Sequence, residues 1–299
     1  MFKSAQQVVF VAVNNYRLWH KNPRIIIAFA LAFILCFLLS DKTVRFANEM
    51  DTQMQIVEAF IWTFGDSNSI LLSSLLLILL FADMPFINTG TPFFLMRINR
   101  KIWLFGQGLY IITATLLYMA FILVATSIVC MRGSFSGNMW SETAAILAYS
   151  GAGEKIALPA FVDVLEMSLP YQVMAHIFAL MLLYALLMAF IMLYFNIAKG
   201  HVAGVLSTFV FALYGFLLNP ELIKSVFSLR DSQMYQAHLA MGWISPLNHA
   251  TYHMHNFGYN YLPRLQHTYL IFAVLIIGCF ILTLRAVKRY NFNFTGTEN

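Results

Sequence analysis

The sequence contains very little charge. Asp, Glu, Lys and Arg make up 10% of its 299 residues, whereas a soluble domain carries about 25%. Hydrophobic residues make up 60%, and apolar runs close to the length needed to cross a bilayer recur along the whole chain. This composition leaves no room for a separate soluble domain. It predicts an all-α, polytopic membrane protein built as a single transmembrane domain over residues 1–299.

Cysteine is also scarce. The three cysteines, Cys36, Cys130 and Cys279, lie in or at the ends of apolar runs, far apart in the sequence. No paired spacing predicts a zinc site or a disulfide framework, so we interpret them as packing residues. The net charge of +5 does not indicate nucleic-acid binding, because Lys and Arg cluster beside the apolar runs, where cytoplasmic topology already requires them.

Motifs for nucleotide hydrolysis are absent from the sequence. No G-x-x-x-x-G-K-[ST] pattern occurs, and the stretch at residues 151–155 lacks its spacing. We therefore expect no cofactor and no enzymatic activity in this chain, and any ATP and Mg must be bound by a partner subunit. Ionisable residues are also rare inside the apolar runs, which disfavours an ion-coupled carrier. Asp83 remains an alternative as a proton-coupling carboxylate, against the simpler interpretation of an acid at a helix end.

Six apolar runs predict six transmembrane helices. They cover residues 25–40, 70–87, 104–130, 173–197, 202–218 and 269–284. The first, fifth and sixth are short for a hydrocarbon core of about 30 Å and must borrow flanking residues or lie in thinned bilayer. The organisation that follows is an interfacial elbow helix (1–24), spans one to five (25–218), outer re-entrant helices (219–267), span six (268–284) and a cytoplasmic tail (285–299).

The distribution of basic residues predicts the orientation. If the N-terminus is cytoplasmic, most of the 18 Lys and Arg residues fall in the short inner segments, as expected for loops that remain inside. Both termini are then cytoplasmic. The first outer loop is acidic and includes Glu58, and it holds an apolar patch at residues 56–64.

Two further loops have a predicted shape. The inner loop at residues 199–201 is minimal, so spans four and five form a tight antiparallel pair. Gly200 and Gly204 have a spacing that permits close helix approach, within the pair or in a dimer. The outer segment 219–267 contains two apolar stretches too short to cross, at 222–229 and 237–244, which predict a broken outer hairpin before the last span.

The stretch at residues 81–103 is the most informative loop. After Asp83 and Pro85, a run of Asn, Thr, Gly and Pro breaks regular structure. Aromatic and basic residues then alternate at roughly helical spacing, which is typical of an amphipathic helix at a membrane surface. The residues with which this loop would contact an ATPase are Asp83, Pro85, Phe93, Phe94, Arg97, Arg100, Lys101 and Trp103.

These features together resemble a permease of the type-two ATP-binding-cassette transporters. The architecture matches over the whole chain, and the local similarity lies at residues 81–86 and at Phe93, Arg97, Arg100 and Trp103. The resemblance implies a permease that pairs with a second copy or a related permease and binds two cytoplasmic ATPase subunits. It implies that the helix at 91–103 is the coupling helix and that the elbow at 1–24 is its neighbour. A bacterial plasma-membrane exporter of a hydrophobic or amphipathic cargo (peptide, lipid or drug) follows as the expected function.

Other interpretations remain open at this stage. His249, His253 and His255 form the one metal-like cluster in the sequence. His249 and His253 would share a helix face, as a metal site requires, but hydrogen-bonding histidines near the lipid headgroups are the simpler interpretation. An ion-gradient-driven carrier and a non-transporting membrane scaffold or sensor are the alternative functions.

Overall fold

The computed structural model describes residues 2–17, 19–86, 97–156, 158, 160–258 and 260–290. It is 78% helical with almost no strand, which confirms the all-α prediction. The α-helices in chain order are α1 (Phe2–Arg17), α2 (Pro23–Glu49), α3 (Glu58–Phe64), α4 (Ser67–Phe81), α5 (Arg100–Cys130), α6 (Glu142–Tyr149), α7 (Ala152–Lys155), α8 (Val162–Met167), α9 (Pro170–Lys199), α10 (His201–Leu217), α11 (Pro220–Val226), α12 (Met234–Ile244), α13 (Pro246–Ala250) and α14 (Leu265–Ala286). Two short strands, β1 (Met54–Gln55) and β2 (Ser134–Phe135), pair in parallel.

Four helices of the described chain are long and apolar enough to cross a membrane: α2, α5, α9 and α14. Two bent pairs also qualify when each is taken as one span. They are α3 with α4, bent by 87°, and α10 with α11, bent by 89°. Four to six helices can therefore span a bilayer, as expected for a multi-pass membrane protein.

The first long helix extends well beyond the predicted run. α2 continues to Glu49, so the prediction that an outer loop begins at residue 41 is wrong. Asp41 and Arg45 lie one helical turn apart and form an ion pair at 2.8 Å. Such a pair supports the helix where the sequence turns polar. The start of α2 is fixed by Asn22, whose side chain caps Arg24 N, and by Pro23 in the first turn.

The second predicted span is shorter and bent. α4 starts at Ser67 and ends at Phe81, not near residue 87, and α3 precedes it at nearly a right angle. Asp66 makes this corner possible, because its carboxylate accepts hydrogen bonds from Asn68 N and Ser69 N at 3.0 and 3.2 Å. The apolar patch predicted in the outer loop is α3, and every one of its residues is buried.

α9 lies at the centre of the bundle. It packs against α10, α14, α5, α4, α3 and α13. Of its most apolar window, 67% is buried, against 28% for α2 and 11% for α14. The exposed residues of α2, α10 and α14 are largely Leu, Ile, Val and Phe, which is the surface that lipid would cover.

The predicted tight pair of spans four and five is confirmed. A single residue, Gly200, separates α9 from α10, and its φ of 99° is a conformation that glycine adopts without strain. Gly204 lies against α9: a Cβ there would be 1.6 Å from Asn196 Oδ1 and 2.8 Å from the Met192 carbonyl oxygen. Gly204 thus packs against α9 of the same chain, and it is not available to contact a second copy in a dimer.

Three helices, α11, α12 and α13, follow α10 in the segment predicted to hold the broken hairpin. α11 and α12 pack against each other through a small cluster formed by Ile223, Ala237 and Met241. Asn219 caps α11 by accepting a hydrogen bond from Leu222 N at 2.7 Å. This segment begins with α11, which belongs to one of the two bent pairs, and continues through α12 and α13 to the start of α14.

Side-chain contacts connect the helix ends in two groups, one at each end of the bundle. One face, which we call the elbow face, holds α1, the starts of α2, α5 and α10, and the ends of α4, α9 and α14. The other, the cap face, holds α3, α6, α8, α13 and the two strands. The contacts described below define both.

Candidate functional site

α1 is held on the first half of α5 by both packing and hydrogen bonds. Three side-chain hydrogen bonds join them: Asn15 Nδ2 to Gln107 Oε1 (2.9 Å), Tyr16 OH to Thr113 Oγ1 (2.7 Å) and Trp19 Nε1, just after α1, to Tyr110 OH (2.8 Å). Gly106 permits the close approach, since a Cβ there would be 2.5 Å from Val11 Cβ. The elbow helix is therefore fixed to the bundle along its length.

The loop base, residues 82–84, is held by side chains from three other helices. The Arg24 guanidinium at the start of α2 forms an ion pair with the Asp83 carboxylate. Asn196 Nδ2 near the end of α9 donates to the Met84 carbonyl at 2.5 Å and to the Ala82 carbonyl at 3.3 Å. His201 Nδ1 in the first turn of α10 lies 3.3 Å from the Ala82 oxygen.

The ion pair between Arg24 and Asp83 is half exposed, with side-chain exposures of 51% and 48%. Pairs of this kind contribute about 0–1 kcal/mol to stability. The pair is therefore more important for position than for stability, because it fixes the start of α2 against the loop base. This arrangement supports the simpler interpretation of Asp83, an acid at a helix end.

A groove of about 420 Å³ runs beside this ion pair. Its lining comes from the elbow, the start of α2 and the loop base: Asn15, Trp19, Asn22, Pro23, Arg24, Ile25, Asp83 and Phe86. Phe86 also packs edge-on against Tyr110, with ring centroids 5.6 Å apart. Pro85 is also buried. The elbow and the loop residues Asp83 and Phe86 line the same groove, whereas the predicted coupling helix lies outside the described residues at positions 91–96.

The predicted coupling helix differs from the structure at its C-terminal end. Arg100, Lys101 and Trp103 form the first turn of the long helix α5, which Asn99 precedes in an extended conformation. The prediction that these residues belong to a separate short helix ending at residue 103 is therefore wrong. The apolar run of span three continues back to Arg100, and the helix starts there. Phe93 and Phe94 lie outside the described residues.

The basic residues of this loop have different surroundings. Arg100 Nη1 donates to the carbonyl oxygens of Lys288 at 3.2 Å and Tyr290 at 3.1 Å, beyond the end of α14. Arg97 and Lys101 are exposed. Trp103 is 2% exposed and belongs to the core. Arg97 and Lys101 thus have exposed charged side chains, whereas Arg100 joins α5 to the chain after α14.

At the cap face, a buried carboxylate joins two segments of the chain, the one between α2 and α4 and the one between α5 and α9. Glu58 at the start of α3 is 0% exposed. Its carboxylate accepts hydrogen bonds from Ser141 N at 2.7 Å and from the Ser141 hydroxyl. Ser141 in turn caps α6 by accepting from Ala144 N at 3.1 Å. Glu58 was expected to be one of several acids in an exposed loop, and its burial is a correction.

Other contacts close the cap around Glu58. β1 and β2 pair through Met54 with Ser134 and Gln55 with Phe135. The rings of Trp62 and Trp140 stack with centroids 5.5 Å apart, and Trp140 Nε1 donates to the Ser168 carbonyl at 2.7 Å. The segment between α2 and α4 and the segment between α5 and α9 therefore form one packed unit over the end of the bundle.

The three histidines of the metal-like cluster do not share a helix face. α13 ends at Ala250, and His253 lies in the 3-10 turn Tyr252–Met254 that follows. His253 stacks on Phe161 with ring centroids 4.3 Å apart, whereas His249 and His255 are buried. Among the residues that the structure describes, no three His, Cys, Asp or Glu side chains lie together in a way that could hold a metal ion.

Sequence reasoning missed Asn196 and Glu58 as contact centres. Asn196 is an amide near the end of an otherwise apolar run, and that isolation is the signal that could have identified it. Glu58 gave no such signal, because acids are abundant in its loop. Comparison of the chain with protein-family models, with curated proteins and with solved structures found no match.

Proposed function

We propose that this chain is the permease subunit of an ATP-driven transporter and that separate ATPase subunits dock on its elbow face. The observation that carries the proposal is the loop base: residues 82–84 contact side chains from the starts of α2 and α10 and the end of α9. A force applied to the loop would reach three helices of the bundle at once. A loop that only connects two helices needs no such contacts.

The charge of the elbow face supports a protein partner. Arg97 and Lys101 are exposed beside the loop, and the groove next to Arg24 and Asp83 offers apolar and polar surface to the same partner. The chain itself has no nucleotide-binding motif, so ATP and Mg would be bound by the partner. We propose six spans with both termini in the cytoplasm, in a bacterial plasma membrane, an orientation in which this face would meet such a partner.

The remaining features of the proposal come from the family resemblance. The functional unit contains two permeases, identical or related, and two ATPase subunits. It exports a hydrophobic or amphipathic cargo such as a peptide, lipid or drug. Closure of the ATPases around ATP would move the loop base and, through it, α2, α9 and α10.

The experiment compares two double variants in a reconstituted complex with the candidate ATPase. Arg97→Gln with Lys101→Gln removes the exposed charge of the loop and leaves the Arg100 contacts intact. The control is Arg285→Gln with Arg289→Gln, which removes the same charge from the same face. Arg285 lies in the last turn of α14, Arg289 follows the helix, and both are exposed. We expect ATPase stimulation by cargo to be lost in the first and retained in the second.

The opposite outcomes separate the alternatives. Normal stimulation in both double variants contradicts the assignment of the loop. Uphill flux in vesicles that contain this chain alone, abolished by Asp83→Asn, identifies an ion-gradient-driven carrier. A stable complex without flux in either direction identifies a scaffold or sensor.

A further inference from the structure

Two buried histidines converge on one hydroxyl group at the cap face. His249 Nδ1 lies 2.8 Å from Thr268 Oγ1, and His255 Nε2 lies 2.9 Å from the same oxygen. The three residues are 3%, 1% and 0% exposed, in the order His249, His255 and Thr268. The three side chains are therefore shielded from bulk water, and they contact one another through their polar atoms.

In each ring, the nitrogen that faces away from Thr268 contacts a carbonyl oxygen, and this contact fixes the position of the hydrogen. His249 Nε2 lies 3.0 Å from the Trp243 carbonyl oxygen, and His255 Nδ1 lies 3.0 Å from the Tyr252 carbonyl oxygen. A carbonyl oxygen can only accept, so each of these nitrogens must carry a hydrogen. A neutral imidazole has one N–H, and its other nitrogen is then an acceptor. Both nitrogens that face Thr268 are thus acceptors when the rings are neutral.

The number of hydrogens does not match the number of contacts. The chain from Trp243 O through His249, Thr268 and His255 to Tyr252 O contains four contacts. Two neutral imidazoles and one hydroxyl supply three hydrogens. The Thr268 hydroxyl can donate to one ring, and the other ring then presents a lone pair to the oxygen. One additional proton on either ring completes all four hydrogen bonds.

We propose that His249, Thr268 and His255 form a binding site for a single proton. The proton resides on one imidazole, that ring donates to Thr268 Oγ1, and the hydroxyl donates to the other ring. The site joins α13 and the turn after it to the start of α14, so binding of the proton changes the hydrogen bonds between the last long helix and the segment before it. The inference does not depend on the proposed function.

The surroundings determine when the site fills. Burial lowers the pKa of His255 to about 4 and lowers the pKa of His249 below its usual value. The charge of one ring opposes protonation of the other, which favours a single proton on the pair. The other titratable groups nearby are His176, Tyr252, His253 and Tyr269. In the described part of the chain, neither histidine forms an ion pair. We therefore expect the proton to bind below neutral pH.

The experiment titrates the full chain in nanodiscs with ¹⁵N-labelled histidine. Signals are assigned by single His→Gln variants, with the exposed His238 as a reference. At pH 7.5 we expect hydrogen on Nε2 of His249 and on Nδ1 of His255. On acidification we expect uptake of one proton by the pair, observed as a change in both rings at a single midpoint.

Variants at residue 268 provide the matched comparison. Thr268→Ser keeps the hydroxyl and should keep the shared midpoint. Thr268→Val keeps the shape, removes the hydroxyl and should lower the midpoint by about one pH unit, a tenfold loss of proton affinity.

Three outcomes would overturn the proposal. They are the opposite tautomer on either ring of the unmodified chain, uptake of two protons by independent rings, or an unchanged midpoint in Thr268→Val. The tautomer measurement does not use the variants at residue 268, so the proposal is tested even if Thr268→Val does not fold.

Discussion

Arg24 and Asp83 lie 59 positions apart in the sequence and form an ion pair that joins the start of α2 to the loop base. The elbow, which is already bonded to α5, is thereby connected to the loop that leads away from α4. If the proposed function is correct, this pair lies between the docking surface and the bundle. The pair then transmits movement from the docking surface to the bundle, and this role can be separated experimentally from a role in folding.

Replacing Asp83 by Asn should uncouple the permease with little effect on its stability. We expect several-fold lower cargo-stimulated ATPase activity, and a change in unfolding free energy within about 1 kcal/mol, because the pair is half exposed. The double variant Arg24→Asp with Asp83→Arg should restore part of the stimulation. Asp41→Asn, which breaks the pair with Arg45 toward the other end of α2, is the control and should leave stimulation unchanged.

Replacing Gly204 by Ala should destabilise the pair of α9 and α10. The new methyl group would overlap Asn196 Oδ1 and approach the Met192 carbonyl, and overpacking of this kind costs about 1–3 kcal/mol. Thermal unfolding in detergent measures the effect. Gly278→Ala in α14 is the matched control, since a Cβ there meets nothing within 4 Å. Equal unfolding temperatures for both variants would contradict the packing described for α9 and α10.

Replacing Glu58 by Gln should loosen the cap. The amide group would present hydrogens to Ser141, which itself donates to both carboxylate oxygens. Hydrogen bonds to a charged group contribute about 1.5–3 kcal/mol, so we expect a loss of that size. Glu142→Gln, at the exposed neighbouring position, should change stability far less. Limited proteolysis of the two outer segments provides a second measurement.

Acidification should lower the stability of the folded chain. The pKa of His255 is lowered from 6.5 to about 4, mainly by burial. Between these values the unfolded chain binds a proton that the folded chain does not, so the stability present above pH 6.5 is lost as pH falls toward 4. The slope for one such group is about 1.4 kcal/mol per pH unit. Unfolding measured between pH 6.5 and 5 should show a shallower slope for His255→Gln than for the unmodified chain.

Replacing Arg100 by Gln should release the chain after α14. Its guanidinium donates to carbonyl oxygens at Lys288 and Tyr290, and Gln is too short to reach both. We expect faster hydrogen exchange at residues 287–290, measured by mass spectrometry. Lys101→Gln removes the same charge one residue later and should leave exchange there unchanged. A similar increase in both variants would indicate a general effect of charge.

The sequence predicted the helices much better than their contacts. Continuous apolar runs marked the long helices, because backbone groups in lipid must bond within the helix. The end of α2 was missed because Asp41 and Arg45 look like loop residues until their i,i+4 pairing is known. The corner between α3 and α4 was missed because both helices are apolar, and hydropathy contains no information on the direction of a helix axis.

The site was predicted in outline and not in detail. The family resemblance implied that the elbow lies beside the loop, and in the structure Asp83 pairs with Arg24 and lines a groove with Trp19 of the elbow. The contacts of Asn196 with Ala82 and Met84 span more than a hundred positions, and no local pattern encodes them. The same holds for His249 and His255. Their convergence on Thr268 depends on how the chain turns between α13 and α14.

His176 and Asn196 lie near opposite ends of the central helix α9. His176 bonds to Tyr269 and stacks on Tyr252 beside the proton site, whereas Asn196 holds the loop base. The twenty residues between them correspond to about 30 Å of unbroken α-helix. A displacement of Asn196 along the helix axis therefore also moves His176, because the two residues belong to one continuous helix.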